Sequence, residues 1–247
     1  LGVLDAPISG ALRVTMDEEG AIGPLSGTLQ IGKGALAPEA TANPIPFDSA
    51  RTYFQYDPAG QWLIFDEISL ASKGVTATAE GRIKLEGVVA GIPTAMIGQM
   101  RITELSANPA GLYPAPLFLE RAEADMRLHF DPFLLELGRL DIRDRGQTLS
   151  LSGWFKAQPD GWDLSMTGAI AEINVDHLLE LWPSSAVTKT RDWVAKNVLE
   201  GVVRDVQLGV RSSPKDRPDV MLGFNFEDLI ATFTPGLPPI VGGSGQA

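Results

Sequence analysis

Along most of the chain, apolar and polar residues alternate one by one. Val75, Ala77 and Ala79 alternate with Thr76, Thr78 and Glu80; Leu149 and Leu151 alternate with Thr148, Ser150 and Ser152; Trp162, Leu164 and Met166 alternate with Asp163, Ser165 and Thr167. The pattern returns at Leu12-Val14-Met16, Met126-Leu128-Phe130, Val206-Leu208-Val210 and Val220-Leu222-Phe224-Phe226. A period of two predicts β-strands with one apolar and one wet face. Turn residues separate these runs at Asp17-Glu18-Glu19-Gly20, Pro58-Ala59-Gly60, Ser72-Lys73-Gly74, Arg145-Gly146 and Pro159-Asp160-Gly161. Strands joined so closely pair as antiparallel meanders.

One segment breaks the period. Between Asn174 and Gly201 the spacing becomes helical. It predicts a short helix around Asp176–Leu181, stopped by Pro183, and a second beginning near Ser185 or Thr188. The second carries Val187, Trp193, Val194 and Val198, with Gly201 placed as its C-terminal stop. The pair is expected to cover one end or one face of the sheet, docking through Trp193 and its apolar neighbours.

The strand pattern also repeats. Gly27-Thr28-Leu29-Gln30-Ile31 matches Gly98-Gln99-Met100-Arg101-Ile102, 71 residues on. Pro44-Ile45-Pro46 matches Pro114-Ala115-Pro116 at an offset of 70, Asp57-Pro58 matches Asp131-Pro132 at 74, and Gly81 matches Gly153 at 72. Self-similarity at a near-constant period indicates stacked units that each leave a face for a neighbour. Phe224-Asn225-Phe226 followed by Gly236-Leu237-Pro238-Pro239 starts a third copy, about fifty residues late on a period of about 72. The expected organisation is unit one at about 8–86, unit two at about 87–170, a helical insertion at about 174–201 and the start of unit three at about 202–247.

Composition narrows the functions open to such a chain. Its 247 residues, 44% hydrophobic and 21% charged, can bury a sizeable core. The absence of cysteine excludes disulfides, cysteine-based zinc sites and thiol catalysis. The 31 acidic and 20 basic residues leave a net charge of −11, without the basic footprint that nucleic acid or an anionic membrane surface requires. The longest nearly uncharged run, Gly87 to Met100, is broken by Pro93 and falls short of the ~20 apolar residues a spanning helix needs. No charged-then-apolar leader opens the chain, which is expected to be a central piece of a longer protein.

No residue set reads as catalytic. His129 and His177 stand on a polar strand face and in a first helical turn, without neighbours at metal-ligand spacing. Glu18-Glu19 and Asp66-Glu67 are adjacent pairs, and adjacent strand residues point to opposite faces rather than forming a dyad. Asp57 and Asp131 precede proline, where aspartate commonly sets a turn. There is no glycine-rich phosphate loop and no Gly-x-Ser-x-Gly elbow. No catalytic residue, metal site or cofactor is expected.

The remaining feature is the quantity of one-faced apolar strand. Alternation alone fits a β-sandwich whose apolar faces close on each other. It also fits an open, curved sheet whose apolar face lines a groove for acyl chains. The repeat weighs toward the second, because a linear array extends a groove but gives a sandwich no closure.

The segment Leu179 to Leu208, LELWPSSAVTKTRDWVAKNVLEGVVRDVQL, carries Trp182-Pro183, Thr190-Arg191 with Trp193, and Gly201 with Val203. With the units PIPFDSARTYFQYDP…LIFDEISLASKGVTATAEG and GLPPIVGGSGQA, it resembles the AsmA-like family, the YhdP- and TamB-type bridge-like lipid-transfer proteins of Gram-negative envelopes. The resemblance spans most of the chain through loose motifs. It implies a mainly β fold: an elongated, curved antiparallel groove built from repeats, in a periplasmic rod held to the inner membrane by an upstream helix. It further implies phospholipid acyl chains and membrane proteins at either end as partners, with no catalytic residue to carry over.

The expected function is therefore a segment that carries phospholipids between the membranes along an apolar groove. The residues expected to line it are Leu12, Val14, Val75, Ala77, Met126, Leu128, Leu149, Leu151, Leu164, Met166, Val206, Leu208, Leu222, Phe224 and Phe226. An envelope scaffold that assists outer-membrane protein assembly through open sheet edges and a glycan-binding β-sandwich stand as alternatives.

Overall fold

The computed structural model describes residues 4–16, 18–20, 22–37, 43–108, 111–185, 187–234 and 236–247. Asp17, in the first turn read from the sequence, lies outside them. In chain order the elements are β1 (Leu4–Asp5), β2 (Ile8–Met16), β3 (Ile22–Ile31), β4 (Gly34–Leu36), β5 (Ile45–Phe47), β6 (Ser49–Asp57), β7 (Trp62–Ala71), β8 (Val75–Glu86), β9 (Ala95–Ala107), β10 (Leu117–Leu119), β11 (Arg121–Phe130), β12 (Phe133–Asp144), β13 (Gln147–Gln158) and β14 (Gly161–Asn174). Then come α1 (Val175–Leu181), α2 (Thr188–Asn197), β15 (Val198–Ser212), β16 (Asp219–Ala231) and β17 (Ile240–Gln246).

The strands form one antiparallel sheet of 14 members rather than the two stacked layers of a sandwich. Its path is β2-β3-β6-β7-β8-β9-β11-β12-β13-β14-β15-β16-β17, with β10 paired to β9 beside β11. The only other sheet among the described residues is β1-β4-β5, in the segments flanking β2 and β3. Turn chemistry follows the sequence. The Ala59 amide donates to Asp57 Oδ1 at 3.0 Å, and the Val75 amide donates to Ser72 Oγ at 3.0 Å. Asp160 in the β13–β14 turn meets Lys215 of the β15–β16 connection at 2.6 Å, and the hydrogen bond holds that carboxyl below its ordinary range.

A single layer leaves much surface wet. The chain exposes 15105 Å², whereas a compact monomer of its 26.4 kDa exposes about 10,600 Å². Ile173 is the one large side chain fully buried among the described residues. It centres the main core cluster with Ile170, Val175, Val203 and Val206.

The helical insertion completes that cluster. Leu178, Leu179 and Leu181 of α1, Val194 of α2, and Val198 pack against it. The carbonyls left unpaired at the end of α1 receive three donors: Arg191 Nε to Trp182 at 3.0 Å, Arg191 Nη2 to Leu179 at 3.2 Å and the Tyr113 hydroxyl to Leu181 at 3.0 Å. Burial raises the Tyr113 pKa, which keeps that hydroxyl a donor. His177 Nε2 lies 2.9 Å from Asp144 Oδ2, and Glu180 pairs with Arg145 at 2.8 Å, so α1 is pinned to the β12–β13 turn.

Two expectations about α2 are corrected. The helix ends at Asn197 and runs directly into β15, so Gly201 lies within a strand rather than stopping the helix. Pairing of Val198 with Ala231, and donation from the Thr232 amide to the Asn197 carbonyl at 2.8 Å, take over the backbone there. Trp193 is not the docking residue. It is 41% exposed and rests on Phe233 with ring centroids 5.5 Å apart, while Val194 of α2 and Val198, the first residue of β15, make the core contact.

Ile173→Ala is accordingly expected to cost about 2–5 kcal/mol, and Trp193→Ala only about 1 kcal/mol, the scale of one aromatic pair. Urea unfolding midpoints of the two variants check the order; an equal loss would mean that Trp193 belongs to the core.

Candidate functional site

Residues directly opposed across a β-ladder project from the same face. Following the pairs from strand to strand traces one row: Leu12, Gly27, Phe54, Phe65, Gly81, Met100, Ala124, Leu140, Leu151, Gly168, Leu208 and Leu222. It crosses every strand from β2 to β16 on the main path without a polar side chain. A parallel row joins Val14, Leu25, Tyr56, Leu63, Ile83, Gly98, Met126, Leu137, Gly153, Met166, Val210 and Val220.

The other sequence-predicted lining residues join this face. Val75 and Ala77 oppose Ala107 and Leu105, Leu128 opposes Leu135, and Leu164 opposes Phe155. Leu149 and Val206 flank Ile170, and Phe226 opposes Val203. Phe224 lies between Leu222 and Phe226 by alternation. The set is not uniformly open. Leu149, Val206, Leu222 and Phe224 belong to, or pack against, the cluster that the helices complete, whereas Leu12 is 62% exposed at the other end of the sheet.

Strict alternation fails at several places, and at three of them the structure keeps the face in phase in the same way. After Phe65, Leu137 and Phe226, the ladder to the following strand skips Asp66-Glu67, Gly138-Arg139 and Glu227-Asp228, resuming at Ile68, Leu140 and Leu229. Each is a β-bulge, two residues opposing one. Without it, residues three apart would face opposite ways. The residues opposed to Phe65, Leu137 and Phe226 are Gly81, Gly153 and Gly245. A Cβ on Gly81 would collide with the Gln99 carbonyl, and one on Gly153 with the Ser165 carbonyl. The sequence signal was available as Phe-Asp-Glu-Ile, Leu-Gly-Arg-Leu and Phe-Glu-Asp-Leu, apolar residues three apart inside strands. The first bulge also corrects the reading of Asp66 and Glu67 as opposite-facing. Asp66 accepts from Gln55 at 3.3 Å and Glu67 opposes Tyr53, both on the polar side.

That polar side is cross-linked. Arg82 donates to Gln99 at 3.2 Å, Gln99 to Asp125 at 3.1 Å, and Arg139 pairs with Asp125 at 3.1 Å. Asp141 accepts from Ser150 at 2.8 Å, extending the network to β13. Arg101 pairs with Glu80 at 2.8 Å and His129 with Glu136 at 3.3 Å. Arg204 lies between Glu172 and Glu227, and its hydrogen bond to Glu227 is the largest cause of its raised pKa.

A cleft of about 1000 Å³ opens at one end of β2, β3, β6, β7, β8 and β9, with Phe118 and Leu119 of β10 on its border. Its lining includes Ile8, Ile31, Leu70, Ala77 and Leu105, and Phe118 is 77% exposed. Among the described residues no group of three or more His, Asp or Glu side chains is placed to hold a metal, and no helix is long and apolar enough to cross a membrane. The arrangement offers apolar contact area on one side and paired charges on the other. Comparisons of the chain with protein-family models, curated proteins and solved structures find no match.

Proposed function

We propose that this chain is a segment of a bridge-like lipid-transfer protein whose apolar sheet face carries phospholipid acyl chains across the periplasm between the inner and outer membranes. The unbroken apolar row from Leu12 to Leu222 carries the reading, since it offers one continuous surface across twelve strands of a single sheet. Each CH₂ removed from water contributes about 0.8 kcal/mol. A row of similar side chains spreads that gain evenly, which suits sliding better than tight capture. Head groups remain in water at the rim. No chemical step is part of the activity.

Two observations support a curved form. The cleft draws its lining from seven strands at once. The second is the length of the β3–β6 connection, in which the Asn43 carbonyl accepts from Trp162 Nε1 at 2.9 Å. Asn43 precedes Ser49 by six residues, a reach of about 21 Å at most from the start of β6. In a flat sheet β14 would stand about 34 Å from β6, with Trp162 at the far strand end as well. Accumulated right-handed twist brings such ends together.

The repeat reading gains support from the bulges in β7, β12 and β16, each facing a glycine. In this register β3, β9 and β14 are equivalent first strands. The third unit thus starts at β14, and Phe224–Phe226 of β16 answers to β7 and β12, not to the start of a copy as the sequence spacing suggests. The connection after each first strand carries its own addition: the β4–β5 pair, β10, and the two helices. Equivalence predicts like behaviour. Gly81→Ala and Gly153→Ala are each expected to cost about 1–3 kcal/mol through the backbone shift they force. Gly209→Ala, whose Cβ would meet only the Met221 side chain at 3.5 Å, is expected to cost less. Chemical denaturation of the three variants checks this.

Strand augmentation at β2 and β17, the outermost strands of the sheet among the described residues, favours a second reading, an assembly scaffold for outer-membrane proteins. Native mass spectrometry of the purified chain separates them: co-purifying phospholipid supports transfer, whereas lipid-free protein that binds unfolded barrel strands supports the scaffold. Leu151→Glu gives the matching test. On an open face the carboxylate reaches water, so the melting temperature is expected to fall by only a few degrees while lipid crosslinking is lost. Full lipid loading on the folded variant would remove Leu151 from the path.

A further inference from the structure

We propose that the helix pair is a built-in plug that occupies part of the apolar face in place of an acyl chain. The inference rests on the reading of that face as an acyl-chain track and names a point of control on it.

β14 and β15 are direct neighbours, with Ile173 opposite Val203 and Asn174 opposite Val202. A hairpin between such strands closes with a few residues, yet the chain inserts residues 175–197 there. The insertion is not spent on a separate core. Its leucines and Val194 lie on the apolar face itself, against the cluster of Ile170, Ile173, Val203 and Val206. An acyl chain continuing along this side of the sheet meets the same side chains, so helix and lipid compete for one surface.

The opposite margin is also occupied. Trp162, at the start of β14, is bonded to the Asn43 carbonyl. Between the two covers β14 leaves Leu164 to Gly168, a span of about 13 Å. The track is thus narrowest at β14.

The plug is fastened by polar contacts outside the apolar cluster. Arg191 ties α2 to the end of α1, Tyr113 ties that end to the segment before β10, and the His177–Asp144 and Glu180–Arg145 pairs hold α1 to the β12–β13 turn. None of these side chains contributes to the apolar row, so the latch can be cut while the row stays intact.

The test uses photoreactive benzoylphenylalanine in place of Phe65 on the open part of the row or of Phe224, which packs against the cluster that the helices complete, one at a time. Each chain is irradiated with phosphatidylethanolamine–phosphatidylglycerol vesicles and its lipid adducts are measured by mass spectrometry. The native background is expected to give at least tenfold more adduct at position 65 than at 224. With Arg191→Gln, Tyr113→Phe, Asp144→Ala and Glu180→Gln together, adduct at 224 is expected to rise toward the level at 65, which stays unchanged, while hydrogen exchange reports release of α1 and α2. Helices that stay protected with adduct at 224 already at the level of 65 overturn the plug. Equal adduct at both positions in the native background also overturns it, whether or not the combined variant folds. So does a released helix pair with no gain at 224. No adduct at either position overturns the acyl-chain reading, and the plug with it.

Discussion

A one-residue slip between neighbouring strands turns a whole set of side chains to the wrong face, and this sheet links thirteen strands in series along its main path. The phase of the ladder is therefore the constraint on which the rest of the structure depends. The glycines opposite Phe65 and Leu137 let backbones approach where a Cβ would collide, and the bulges beside them restore the apolar phase after three-residue spacings. With the phase kept, Leu12 in β2 and Leu222 in β16 share a face although 210 residues separate them.

Stability in a one-layer sheet is distributed differently from that in a globule. Side chains on the apolar face shield one another sideways, and most stay half-buried; few reach the full burial of Ile173. The polar face contributes through cross-strand partners, with Arg82, Gln99, Asp125 and Arg139 joining four strands. Each exposed pair is worth little alone. A continuous network also disfavours slippage, because a shifted register would misalign its charges.

The segment that carries the AsmA-like resemblance has a physical account of its own. Arg191 satisfies two carbonyls at the end of α1, Trp193 rests on Phe233, and Val203 lies in the core cluster. These residues build the helix pair and fasten it to the sheet. A buried histidine in the same region, His177, is held by Asp144 and serves the same attachment.

The sequence by itself determined that the chain is β-rich, that one face of its strands is apolar, where most turns fall and where two short helices interrupt them. Those properties are local: alternation, turn residues and helical spacing act within a few residues. It also contained the Gly81–Gly153 correspondence, whose reason became visible only once both glycines were opposed to bulged strands. Tertiary structure decided what no local pattern encodes. Pairing partners placed the fifteen lining candidates on one face, bulges brought Asp66 and Glu67 to the same side, and β15 claimed the residues that helical spacing had assigned to the end of α2. It also decided that the helices pack on the apolar face against Ile170, Ile173, Val203 and Val206. Contact between segments far apart in the chain depends on register and twist accumulated over many strands, and neither can be read from any one of them.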